Sequence, residues 1–132
     1  MAEGVNAMLE ALEAGNPEPQ RSFVADMLFL PTDDPALRER VVREMAASPV
    51  HVSVAAMRGA LAFDGKGAAA ACKAPALHIA AEPPLNRQAD MAAALKGVIN
   101  AQTSGAGHFN QLLVPTQVND MIDYFSQNFV DW

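Results

Sequence analysis

Apolar residues in the first half of the chain recur at three- and four-residue intervals. Val5, Met8, Leu9 and Leu12 form one such stripe, and Gly15 and Pro17 end it. Phe23, Val24, Met27 and Leu28 form a second stripe before Pro31. The stretch TDDPALRERVVREMAASP is the clearest helix of the chain. Asp34 stands where an N-cap is needed, Pro35 takes the first helical position, and Leu37, Val41, Val42 and Met45 make the inward stripe. Pro49 lies just beyond its end. Val52, Ala55, Ala56, Met57 and Leu61 give a fourth stripe, and Asp64 is placed to cap a short helix over 65–72. Residues 1–72 thus read as an all-helical region.

From Pro75 the texture changes. Ala76 to Ala80 is a short apolar run bounded by prolines, the pattern of a buried parallel strand. Gln88–Leu95 reads as a helix with Met91 and Leu95 inward, and Val98–Thr103 as a second strand. A Gly-rich turn, SGAGH, follows. The last helix starts near Pro115 and carries Val118, Met121, Ile122 and Phe125 on one face. Residues 73–132 are therefore a β-α-β-α series, which calls for a right-handed crossover and two short parallel strands. Two strands are few for a sheet, so further strands are expected to complete it.

Composition narrows the function classes. The chain has 132 residues, 51% of them hydrophobic, and a formal charge of −6 with no basic run. Nucleic acid and anionic membrane surfaces need a Lys/Arg footprint, so neither is an expected partner. Cys72 is the single cysteine, which excludes an intrachain disulfide and a cysteine-built metal site. No cofactor or metal is expected. The N-terminal stretch lacks a basic segment followed by an apolar core, and no run reaches the length of a membrane span. A cytoplasmic setting is the expectation.

The segments APALHIAAE and AQTSGAGHFNQLLVPTQVNDMIDYF resemble the end of the α/β-hydrolase fold. Gly105, Gly107, His108, Phe109, Pro115, Val118, Ile122 and Phe125 match, in order, that family's histidine turn and closing helix. The upstream FLPTDDPALRERVVREMAASP resembles the helical cap that these enzymes insert before their last strands. The resemblance implies an incomplete α/β-hydrolase fold: cap helices, then the C-terminal portion of the core. It also implies that His108 is a catalytic base. Independently, a histidine past the C-terminal end of a parallel strand stands where α/β sheets hold their ligands, and the glycines allow positive φ in its turn. His51 and His78 read instead as structural residues.

The pattern is incomplete in two respects. None of Ser22, Ser48, Ser53, Ser104 and Ser126 lies in a G-x-S-x-G elbow, and no HGG-type oxyanion segment is present. In the family both precede the cap, so they are expected before Met1. The family's acid commonly follows a glycine after the first of these strands. Here that glycine's place is Ala81 and the acid's place is Pro84, which leaves Glu82 as the nearest carboxylate to orient His108. Other members take the acid from an earlier strand. Asp64 is accounted for as a helix cap. The expected partners are a small apolar ester-like substrate for the parent enzyme, and either the missing N-terminal half or a second copy. The chain alone is expected to be inactive. The alternative is a non-catalytic binding or interaction module derived from the same fold.

Overall fold

The computed structural model describes residues 2–130 and shows a helix-rich mixed α/β fold. The elements run α1 (Ala2–Glu13), α2 (Glu18–Met27), α3 (Pro35–Ala46), α4 (Val50–Ala62), α5 (Gly65–Ala71), β1 (Leu77–Ala80), α6 (Gln88–Ala94), β2 (Ile99–Gln102), α7 (Asn110–Leu113) and α8 (Pro115–Phe129). Local chemistry accounts directly for the starts of α3 and α5. The Asp34 carboxylate accepts the Ala36 N–H at 2.9 Å and Pro35 opens α3; Asp64 accepts the Gly67 N–H at 2.9 Å and caps α5. Among the described residues no helix is long and apolar enough to cross a membrane.

The chain forms two compact units. One contains the residues up to Phe29 together with Asp34–Phe63, and is built from α1 to α4. In it α1 packs on α2 and α4, and α2 packs on α3. Its core centres on Leu9, Leu12 and Val54, flanked by Val5 and Met57. The stripes foreseen on the later helices are only partly buried. Val24, Leu28 and Val41 are inside, whereas Phe23, Met27, Met45, Val52 and Leu61 are exposed. Val54 rather than Val52 or Leu61 is the buried residue of α4. A four-helix unit of this size covers a narrow strip of each helix, so an apolar stripe exceeds the surface available to bury it.

The other unit contains Leu30–Asp33 and the chain from Asp64 onward. Its sheet is the expected parallel pair, with Leu77 opposite Ile99 and Ala80 opposite Gln102. Strands α6-linked in this way follow the β-α-β pattern, and α6 and α8 both pack on β1. Val118 is the buried residue of α8, while Ile122 is exposed.

Ile99 N–H bonds Ala76 C=O at 2.9 Å and Thr103 N–H bonds Ala80 C=O at 3.0 Å. In a parallel ladder with this register, the even-numbered residues of β1 face β2, and the amides of Leu77 and Ile79 face the opposite edge. Among the described residues that edge has no strand beside it. Unpaired edges recruit other chains. Sedimentation at rising micromolar concentration is therefore expected to show self-association, with the Leu77 and Ile79 amides becoming protected from exchange in parallel. A monomer in which both amides are already protected would show the edge to be covered.

Candidate functional site

The C-terminal end of β1 and the turn after β2 are bonded together at several points. Ala80 C=O accepts from Thr103 N–H, from the Thr103 hydroxyl at 3.3 Å and from Asn110 Nδ2 at 3.4 Å. The same Asn110 amide donates to Thr103 Oγ1 at 3.3 Å. Thr103 and Asn110 are buried, so these bonds satisfy groups that would otherwise be desolvated without partners. Two residues on, Glu82 N–H bonds Ala106 C=O at 2.9 Å, which carries the pairing past the end of the ladder and into the turn.

Side chains secure the rest of the turn. Gln117 of α8 accepts the Ser104 N–H at 3.0 Å and donates to its carbonyl at 3.2 Å. The Glu82 carboxylate accepts the Gly105 N–H at 2.8 Å. Gly105 has φ of +68°, the left-handed conformation foreseen for it. Among the described residues the glycines of positive φ are Gly15, Gly97 and Gly105, so Gly107 serves otherwise than foreseen. It is buried, and its N–H points to the carboxylate of Asp33, at 3.2 Å from Oδ2 and 3.4 Å from Oδ1.

His108 follows in the turn that leads to α7. Its ring is exposed and meets the Phe109 ring edge-on, with centroids 5.3 Å apart. It borders a recess of about 220 Å³ that is also lined by His78, Ile79, Ala80, Leu85 and Asn110. Ligand pockets usually span ~300–1,000 Å³, so this recess is smaller than a usual ligand pocket. Glu82, foreseen as the acid that orients His108, is engaged with the backbone of Gly105, and among the described residues no hydrogen bond joins it to the His108 ring. His78 is a structural residue as foreseen: its Nδ1 donates across the sheet to Asn100 Oδ1 at 3.0 Å. His51 lies on α4, in the helical unit.

Two larger open grooves, of about 680 and 420 Å³, are lined wholly by residues of the helical unit and contain neither His108 nor Glu82. Among the described residues no three His, Cys, Asp or Glu side chains converge as a metal site would require. Among the described residues the one pair with displaced titration is Arg87 and Asp90 at the start of α6, where the side-chain hydrogen bond raises the guanidinium and lowers the carboxyl. Both groups are solvated, so the pair contributes little to stability.

Sequence reasoning missed Asp33, Thr103, Asn110 and Gln117. For Asp33 a signal existed: TDDP contains two adjacent aspartates, the helix needs one cap, and Asp34 supplies it. Comparison with protein-family profiles, with curated proteins and with solved structures gives no match.

Proposed function

We propose that this chain supplies the general base of a serine hydrolase of the α/β-hydrolase type, acting on an ester or other acyl bond, with the nucleophile contributed by residues outside this sequence. The observation that supports this reading most is the placement of His108. It follows a parallel strand, in a turn fixed at Ser104, Gly105, Ala106 and Gly107, and it borders a recess lined by both polar and apolar side chains. In the proposed reaction the His108 ring takes the proton of a serine hydroxyl as that oxygen attacks the acyl carbon. It then returns the proton to the departing alkoxide, and water repeats the cycle on the acyl-enzyme. A base alone contributes ~10²–10⁴-fold, well below the accelerations hydrolases achieve.

The chain by itself is therefore expected to turn over p-nitrophenyl esters no faster than its His108→Ala variant. Co-expression with a polypeptide that carries a G-x-S-x-G elbow and further strands, sought first in the reading frame upstream of Met1, is expected to yield hydrolysis. His108-dependent turnover by the lone chain, or no turnover with such a partner assembled, would sink the proposal. A non-catalytic binding module is the second reading. It is favoured by the fact that no described residue hydrogen-bonds the His108 ring, and it predicts a stable complex in which His108→Ala changes nothing.

A further inference from the structure

We infer that Asp33 is the positioning residue of the histidine turn, an inference that rests on His108 acting as a base. Asp33, Thr103 and Asn110 are the buried polar residues of the described chain, and all three converge on this turn. Asp33 is 8% exposed, and a carboxylate so far removed from water needs strong donors. Its donors are backbone amides. Leu30 N–H reaches Oδ2 at 2.7 Å, and Gly107 N–H reaches the same oxygen at 3.2 Å. No Lys or Arg among the described residues bonds it. Bonds from N–H to an ionised acceptor are roughly twice as strong as neutral ones.

The bond to Leu30 closes a local turn, since Asp33 N–H also bonds Leu30 C=O at 3.1 Å. The bond to Gly107 has no such local use. It spans 74 positions of sequence and holds the Ala106–Gly107 peptide unit, one peptide removed from the one that enters His108. Gly107 has no side chain to keep the carboxylate away, and fixing its amide fixes the backbone from which the imidazole projects. Glu82 performs the corresponding task at Gly105, but from an exposed position where water competes. Asp33 is therefore the dominant clamp. Displacing a reacting group by about 1 Å can cost on the order of 10²-fold in rate.

The test has two arms. In the lone chain, Asp33→Ala should speed hydrogen exchange at the Gly107 amide by at least tenfold and shift the His108 ring resonances. Asp33→Asn should fall between Asp33→Ala and wild type in both, because one amide oxygen can still accept from Leu30 and Gly107 but without the charge. In the assembled hydrolase, with rates normalised to titrated nucleophile, Asp33→Ala should lower kcat ten- to a hundredfold with KM within twofold. Asp33→Asn should recover part of that loss, and Glu82→Gln should cost less than threefold. Unchanged Gly107 exchange in Asp33→Ala, or unchanged kcat per titrated site, overturns the inference. Failure of the base assignment is read separately, as hydrolysis that survives His108→Ala; the exchange arm then still decides whether Asp33 clamps the turn.

Discussion

In an assembled hydrolase, replacing His108 with alanine is expected to lower kcat by about 10⁴-fold or more while KM changes little. A serine hydroxyl without a base is a poor nucleophile, and the leaving alkoxide without an acid departs slowly, so both halves of the reaction lose the same group. What remains is the contribution of binding and of the oxyanion donors. The loss should be specific to this ring. His51→Ala alters a side chain of α4 in the helical unit, away from the recess beside His108, and is expected to leave the rate per folded molecule within a few fold. Steady-state kinetics with active-site titration measures both. A His108→Ala rate within tenfold of wild type would remove the base from the mechanism.

The second large effect is on the helical unit. Leu9 is 2% exposed and sits with Leu12 and Val54 at the centre of that core. Leu9→Ala removes three carbons and leaves a cavity that neighbours on α1 and α4 fill only in part, at a cost of about 3 kcal/mol within the 2–5 kcal/mol usual for such changes. For a unit of this size each kcal/mol shifts the melting midpoint by roughly 4–8 °C, so a drop of more than 10 °C is expected. Leu61→Ala is the control. Leu61 shares the apolar stripe of α4 but is 46% exposed, and its truncation should cost less than about 0.5 kcal/mol. Thermal melts followed by circular dichroism compare the two; equal losses would mean that the core is not centred on Leu9.

That contrast shows where the sequence was legible. Helix starts were, because a cap is a local event: Asp34 and Asp64 each bond an amide two or three residues away, and no tertiary knowledge is needed to foresee it. The two strands and their parallel pairing were foreseen from apolar runs separated by a helix. The buried side of α1 was legible too, in Met8, Leu9 and Leu12, but that of the later stripes was not, because Val54 and Leu61 look alike until the neighbouring helix is in place. The short helix α7 was missed, since four residues between His108 and Pro115 hold too little periodicity to register.

At the candidate site, the place of His108 in a turn after β2 and the positive φ of Gly105 were readable from the turn motif taken with the strand before it and the helix after it. Glu82 was legible as a carboxylate near the turn, but its partner proved to be an amide rather than an imidazole. Asp33 was hidden by distance along the chain. Nothing in the residues around position 33 points to position 107, and only the fold brings the two together. Asn110 was hidden differently: an amide side chain is as common on a surface as in a buried network, and its burial alone assigns it to the latter.

The chain's two compact units are not two successive stretches, and this bears on how the molecule can be divided. The joint between Phe63 and Asp64 looks like a natural place to cut a gene. A C-terminal piece started there would lack Leu30–Asp33, and the buried Gly107 amide would lose its acceptor, at about 1–3 kcal/mol for one orphaned donor. So short a piece has little stability to lose. Cleaving the intact chain at the same joint gives a different result. The carboxylate then stays with one fragment and the amide with the other, and a covalent break becomes a non-covalent seam with Asp33 as its fastener.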